Sequence, residues 1–484
     1  MRTNFLISIL YFISLIAFVA CGGSGGDSKP PQPAANPPNL TGVNPAANDN
    51  SVLLGNTVAA TFDKTMNVGS AGTFVVYGNQ TGKRTGAFTG GGSQTLVFNP
   101  NIAFKLGEIV EVILTDSLTS TDGTSLSSPF VYHFWAEALG GTGNFNLDDT
   151  VLNQLGAQGL AAGDWDNDGD IDLAVANFSA NTVVIMKNDS FGGFSVFDTV
   201  GSQFGANAVV ALDWDGDGDL DLAVANNGNS SVGILENDGT GNYSLANTVT
   251  FQINARGLAA GDWDGDGDLD LAVANFGTNE AAILENDGSG LFTEIEAIGG
   301  LGGASAVAAG DWDGDGDLDL AAANSSVNTV VILKNDGTGS YIAVDTLPNQ
   351  FGASDFAVGD WDDDGDLDLA VTNFGNQRVK ILNNDGTAGF TEVQIISPML
   401  GATGLISGDW DGDGDLDLAV ANFTANTVVS LGNDGTGSFA IDDTVLNQIG
   451  ASALATGDWN SDGDLDLAVA NSTGGNNVRT LENL

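Results

Sequence analysis

The chain has 484 residues, too many for one ordinary domain and enough for two to four. Its 63 acidic residues face only 12 Lys and Arg, a formal charge of −51. That charge excludes nucleic acid and anionic membrane surfaces as partners and makes cations the natural counter-ions, while 42% hydrophobic residues suffice to fill real cores.

Residues 1–20 carry Arg2 and then an apolar run from Phe5 to Ala20, the layout of an export signal. Cys21, the only cysteine, follows directly. The stretch Phe18-Val19-Ala20-Cys21 resembles the bacterial lipobox, with Phe18 where leucine is usual. The resemblance implies that Cys21 is lipidated and becomes the mature N-terminus. An ordinary cleaved signal peptide and a retained helix, short for a bilayer, are the alternatives. No later segment is apolar enough to span a membrane, so the expected location is exported and lipid-anchored, at the outer membrane or cell surface of a bacterium. Residues 21–38, rich in Gly, Ser and Pro, read as a solvated spacer.

From residue 39 to 136 short alternating, β-branched runs predict strands at Thr57 to Phe62, Thr73 to Tyr77, Thr95 to Phe98, Ile109 to Leu114 and Phe130 to Trp135. The pattern argues for a small β-sandwich. The stretch from Ala60 to Leu126 resembles bacterial Ig-like domains of surface-layer and adhesin proteins, which implies a spacer module. The only histidine, His133, lies on the last of these strands and is expected to be structural.

Residues 137–484 are dominated by Asp-Trp-Asp-x-Asp-Gly-Asp-x-Asp-Leu, recurring every 49 residues from Asp164 to Asp458. Such a period signals a solenoid or a propeller, and each unit holds about four strand-like runs, in the first repeat Gly159 to Ala162, Leu173 to Ala176, Thr182 to Lys187 and Gly193 to Thr199. The ends discriminate. The last repeat stops at Leu484 before a fourth strand, while GTGNFNLDDTVLNQLGA at Gly141 to Ala157 nearly duplicates GTGSFAIDDTVLNQIGA at Gly435 to Ala451, six periods away. Residues 141–154 are therefore expected to supply the outer strand of the last blade, closing an all-β, seven-bladed β-propeller without free sheet edges. Asn-Asp-Gly at Asn237, Asn286, Asn335, Asn384 and Asn433 reads as a structural hairpin, because Asn and Gly tolerate positive φ.

Five acidic side chains within nine residues, with glycine at position 6, suit a hard cation held by oxygen ligands. An EF-hand is excluded, because position 12 is apolar, as at Val175 and Val224. At this point the repeats resemble the FG-GAP or VCBS family, which includes the head of integrin α subunits. The resemblance implies one Ca²⁺ per blade, about seven in all, bound by side chains at positions 1, 3, 5 and 9 and the carbonyl at position 7. The implied sets are Asp164, Asp166, Asp168, Asp170 and Asp172; Asp213, Asp215, Asp217, Asp219 and Asp221; Asp262, Asp264, Asp266, Asp268 and Asp270; Asp311, Asp313, Asp315, Asp317 and Asp319; Asp360, Asp362, Asp364, Asp366 and Asp368; Asp409, Asp411, Asp413, Asp415 and Asp417; and Asp458, Asn460, Asp462, Asp464 and Asp466. Asn460 is a neutral oxygen donor where the others have Asp. Four carboxylates about 4.5 Å apart make six repulsive pairs of roughly 1–4 kcal/mol each, comparable per empty loop with the stability of a domain.

Tryptophan fills position 2 of every loop, from Trp165 to Trp459, and is expected to pack against the neighbouring blade. If the metal loops occupy one face, a protein or carbohydrate ligand is expected at the other. Phe178, Phe276, Phe374 and Phe423, each after a shared Asn, and Arg256 ahead of its inner strand are the candidate ligand residues there. With its one Cys at the anchor and its one His in the other domain, the chain lacks the parts for nucleophilic Cys or Ser-His chemistry. The expectation is a monomeric binding or adhesion protein and not an enzyme, with a polysaccharide-acting propeller or an inert scaffold as alternatives.

Overall fold

Asp-Leu-Ala-Val-Ala-Asn, the second strand of the first repeat (Asp172–Asn177), is buried at all six positions. A continuous apolar run of this kind builds a strand covered on both faces. The computed structural model describes residues 36–484. The export signal, Cys21 and the spacer as far as residue 35 lie outside the described residues. No helix among the described residues is long and apolar enough to cross a membrane.

The chain is all-β. Each repeat forms an antiparallel four-stranded sheet in chain order; in the first the strands are Ala157–Gly163, Asp172–Asn177, Thr182–Asn188 and Phe194–Val200. The outermost strand alternates between exposed and part-buried, as one-sided burial requires. The last repeat supplies three strands, Ala451–Gly457, Asp466–Asn471 and Asn477–Asn483, and its fourth is Phe145–Leu152 from the N-terminal side. Asn483 faces Phe145 and Asn477 faces Leu152 across that ladder. The inner strand of each sheet lies beside that of the next, and Ala451–Gly457 lies beside Ala157–Gly163. The arrangement is propeller-like.

Neighbouring sheets are joined by two repeated devices. Each loop tryptophan is at most 1% exposed. It meets edge-on the aromatic that opens the outer strand of the next sheet: Trp214 meets Phe292 at 5.2 Å, Trp410 meets Phe145 at 5.8 Å and Trp459 meets Phe194 at 5.6 Å. The Asn of the hairpin supplies the second. Its amide donates to the carbonyl of the preceding sheet's tryptophan, as Asn286 does to Trp214 at 2.8 Å, Asn188 to Trp459 at 2.8 Å and Asn483 to Trp410 at 2.7 Å. The hairpin asparagine is thus structural for a different reason from the expected one. Positive φ falls on the glycines, 76° at Gly239 and 80° at Gly241, while Asn237 is 3% exposed and bridges sheets.

The N-terminal domain is a sandwich of two four-stranded sheets. One orders Leu40–Asn44, Val58–Phe62, Thr95–Pro100 and Gly86–Thr89; the other orders Gly82–Lys83, Phe74–Gly78, Ile109–Leu114 and Phe130–Trp135. Between them pack Phe62, Met66, Leu96, Phe98, Val112 and Phe134. The short strands at residues 40–44, 82–83 and 86–89 carry too little alternation to be read from sequence.

This domain also packs directly on the repeats. It is seated on the loop ends of the repeats. The carbonyl of the position-6 glycine accepts a bond from it in four loops: Gly169 from Lys105, Gly267 from the Tyr77 hydroxyl at 3.3 Å, Gly316 from the Val131 amide at 2.7 Å and Gly365 from Asn48 at 2.9 Å; Gly463 accepts from the amide of Leu139 in the connecting segment at 3.3 Å. In the second loop Gly82 packs on Asp213, and in the sixth Gly140 of the connecting segment packs on Gly412. His133 lies beneath this interface, 3.1 Å from Glu111.

Candidate functional site

The loop between the first two strands is organised by its own carboxylates before any ion is considered. Gly163 and Asp172 face each other across the ladder, so positions 1 and 9 start at the neck of the loop. In the second repeat Asp213 at position 1 accepts the amides of Gly216 (2.8 Å) and Gly218 (3.0 Å). Asp221 at position 9 accepts those of Trp214 (3.2 Å) and Asn237 (2.8 Å). Position 6 lies at φ 101° in Gly218 and 102° in Gly169, which a side chain would strain, so glycine is required there.

Burial, and after it the neighbouring carboxylates, raise these groups far above the usual range. Asp172, Asp221, Asp319, Asp368, Asp417 and Asp466 are pushed up to about 8. Asp164, Asp213, Asp311, Asp360 and Asp409 are pushed to about 6, and Asp262 and Asp270 rise well above the ordinary value. A divalent cation reverses that logic by favouring the ionised form.

The oxygen geometry fits such a cation. Carboxylate oxygens lie within 4.8 Å of one another in the sets Asp213, Asp215, Asp221; Asp262, Asp264, Asp270; and Asp360, Asp362, Asp368, which are positions 1, 3 and 9. In the first and fourth loops the set is positions 1, 3 and 5: Asp164, Asp166, Asp168 and Asp311, Asp313, Asp315. Buried oxygens of Asp164, Asp166, Asp313 and Asp362 have no hydrogen-bond partner, which marks room for a ligand bond. Position 7 contributes no side chain. Asp219 and Asp268 lie against the hairpin glycines Gly239 and Gly288 instead, consistent with a carbonyl ligand. In the last loop the Asn460 amide donates to Asp462 at 3.0 Å.

The two exceptional sets share a residue that the motif does not contain. Lys187 pairs with Asp166, and Lys334 pairs with Asp313 and, at 2.8 Å, with Asp315. Both lysines sit on the third strand, 23 residues after the start of their loops. Equivalent positions hold Glu236, Glu285, Asn383 and Gly432, and Glu482 one residue further on. The side chain at this position faces the loop: Asn383 bonds to Asp362, and Glu285 adds to the negative surroundings of Asp266.

At the opposite end the inner strands frame a cavity of about 590 Å³. One residue per repeat rings it: Gln158, Asn207, Arg256, Ser305, Ser354, Thr403 and Ser452. These lie on the first strands themselves, where the ladder slips register, and not ahead of them. Most are spent on joining sheets. Ser305 donates to the carbonyls of Ala323 (3.1 Å) and Ala353 (2.7 Å), Ser452 to those of Ala470 (3.1 Å) and Ala157 (2.8 Å), and Asn207 to that of Arg256 (2.7 Å).

Of the aromatic candidates, Phe178 lines this mouth and Phe276 carries the Arg256 guanidinium 3.5 Å above its ring. Phe374 and Phe423 do not line it. The asparagines before these phenylalanines are not ligand groups, because they are buried and spend their amides on residues in the turns after the outer strands: Asn177 on Gln154 at 2.8 Å, Asn275 on Gln252 at 2.7 Å and Asn422 on the Met399 sulfur.

A family described as FG-GAP-like repeat matches residues 164–224, 213–273, 262–322, 311–371, 360–420 and 409–469, and one described as bacterial Ig-like domain matches 34–136. No curated protein is similar enough to serve as a relative. Among solved structures, the streptogramin B lyase structure matches with a TM-score of 0.50 at 14% identity, over 70% of this chain and 98% of that one. BBS1N in complex with ARL6DN, soaked with mercury, matches with a TM-score of 0.52 at 12% identity, over 71% and 98%. At such identities the likeness is one of fold.

Proposed function

Because the chain belongs to the FG-GAP-like repeat family, we propose that it is a calcium-stabilised binding protein whose repeats close as a seven-bladed β-propeller, with about one Ca²⁺ per loop and a recognition face at the mouth opposite those loops. The observation that carries the reading is the seating of the Ig-like domain. It covers the loop end and leaves the opposite cavity of about 590 Å³ open. Closure is supported by the pairing of residues 145–152 with the last repeat and by the bonds from Ser452 to Ala157 and from Asn188 to Trp459. Calcium fits a site of four or more hard oxygens on a flexible loop better than magnesium, which demands tighter octahedral geometry.

A binding role is favoured over catalysis by what the open mouth contains. His133 lies away from the mouth, part-buried on the last strand of the Ig-like domain and paired with Glu111. The mouth acid, Asp355, is pushed up to about 7 by burial, a value suited to acid–base work, but both its oxygens accept backbone amides, from Phe356 and Leu405 at 3.0 Å each. Export and lipidation at Cys21 complete the proposal and set the protein on the outer membrane or cell surface.

Calcium-loaded protein tested against glycan arrays and host cells is expected to bind dose-dependently, with binding reduced by Ser354→Trp, which fills the mouth. Silence across both, or turnover of a polysaccharide, overturns the reading. Mass spectrometry of the mature N-terminus is expected to show a diacylglyceryl group on Cys21.

A further inference from the structure

The polar mouth is surrounded by an apolar annulus that the 49-residue register also generates. Leu155, Phe204, Ile253, Phe351, Leu400 and Ile449 occupy equivalent turns three residues before the mouth positions, and all six are 39–48% exposed. Only the fourth repeat breaks the series, with Gly302. Single exposed hydrophobics need no explanation. Apolar side chains repeated around one opening form a surface of the kind used to bind partners.

At its centre Arg256 is unlike its register mates. Its guanidinium stacks on Phe276, and among the described residues it makes no hydrogen bond or ion pair. Stacking occupies the plane of the group and leaves all five N–H donors at its edge. Burial lowers its pKa, and no acid opposes the shift. Asp355 is not its partner, because that carboxylate is held by two backbone amides. The result is a part-desolvated cation whose donors await an anion.

Resting on the reading of this mouth as the recognition face, we infer that its ligand is a protein segment projecting one carboxylate, from an Asp or Glu residue or a free C-terminus, out of apolar surroundings. The carboxylate pairs with Arg256 and the flanking side chains cover the annulus. Four of the six annulus side chains, Leu155, Ile253, Leu400 and Ile449, are aliphatic, so only Phe204 and Phe351 offer a ring face to a sugar, while the Ser305 and Ser452 hydroxyls already bond to backbone. A partner dense in acid is repelled by a protein of charge −51, so the carboxylate stands alone.

The test uses the calcium-loaded full-length protein and two labelled cyclic hexapeptides that differ only in carrying Asp or Asn between Leu and Phe. The Asp peptide is expected to bind, and the Asn peptide to bind about tenfold more weakly or worse. Arg256→Gln is expected to erase the difference and Arg256→Lys to keep part of it, both melting with the parent protein. Leu400→Ser is expected to weaken both peptides alike. Equal binding of the two peptides to the parent overturns the carboxylate inference and leaves the recognition face standing. Arg256-dependent binding of glucuronate with no peptide binding overturns the protein class. Silence of peptides and glucuronate, with Ser354→Trp also without effect on cell or glycan binding, overturns both the inference and the recognition face.

Discussion

The two ends of the repeat body share one 49-residue register and differ in what covers them. At the loop end, every repeat presents crowded carboxylates, and the Ig-like domain packs against them by bonding to the backbone of the turn, as Val131 does to Gly316 at 2.7 Å and Asn50 to Asp360 at 2.8 Å. At the other end the register presents hydroxyls, amides and one guanidinium around an open cavity, with hydrophobic side chains outside them. Near-identical repeats therefore yield a covered end and an open end. The loop end spends its polar groups on internal bonds and on crowded carboxylate sets; at the mouth Arg256 keeps all its side-chain donors to spare.

The largest effect expected of this division is on calcium removal. Each saturated loop contributes about 2.7 kcal/mol at free calcium 100-fold above Kd, so several loops together raise Tm by about 10 °C or more. Scanning calorimetry with and without chelator checks it, and unchanged Tm breaks the comparison. The pH dependence reverses as well. In metal-free protein Asp172 and Asp221, raised to about 8, and Asp164 and Asp213, raised to about 6, bind protons more tightly folded than unfolded. Their contribution is complete below about pH 4 and is lost as pH rises through 6 to 8. Metal-free protein is thus expected to melt higher at pH 5 than at pH 8, and calcium-loaded protein to melt higher at pH 8.

Single substitutions sharpen the contrast. Asp221→Ala removes a ligand and strands the amides of Trp214 and Asn237, at about 1–3 kcal/mol for each buried group left unpaired. A loss of about 3 kcal/mol or more is expected by urea unfolding in calcium. Arg256→Gln at the other end is expected to cost about 1 kcal/mol or less, since only the stack on Phe276 is lost and no hydrogen bond is broken. Equal costs at the two ends would erase the distinction.

Docking itself is readable at two amides. Val131 donates across the interface to Gly316, and Leu139, in the segment that follows the Ig-like domain, donates to Gly463. Because those glycines lie at the sharp turn of the metal loops, emptying the loops loosens their acceptors. Hydrogen exchange at both amides is expected to quicken about tenfold or more with chelator, while Val112 inside the sandwich core exchanges as before.

Which of these features the sequence displayed follows from where their signal resides. The motif, its period and the displaced outer strand were legible because they are identities between side chains: Phe145 to Leu152 repeats Phe439 to Leu446 almost letter for letter. Docking was not legible, because its acceptors are backbone carbonyls of the loop turns, groups that every residue owns, and its side-chain donors Lys105, Tyr77, Asn48 and Asn50 follow no repeat of their own. The bridging role of Asn286 was hidden for another reason. Asn-Asp-Gly already satisfies a turn, so nothing in the string asks for a bond to a tryptophan carbonyl 72 residues earlier. The annulus from Leu155 to Ile449 was present in the register but falls in turns, where apolar residues carry no periodic signal of their own.

The smallest expected effect divides the loops among themselves. Lys187 and Lys334 stand where Glu236 and Glu285 stand in the second and third repeats, and the lysine-bearing loops gather positions 1, 3 and 5 in place of 1, 3 and 9. A positive charge held against the ligand carboxylates competes with calcium, and a negative one at the same place adds to its attraction. Each such charge, part-screened at the loop surface, is worth about 1 kcal/mol, or about fivefold in affinity. Titration calorimetry is therefore expected to resolve two weaker sites in the parent protein. In the double variant Lys187→Gln, Lys334→Gln these two join the tighter class, and Glu285→Gln moves one site the other way. An isotherm unchanged by all three substitutions would show that the third strand has no hold on the loops it faces.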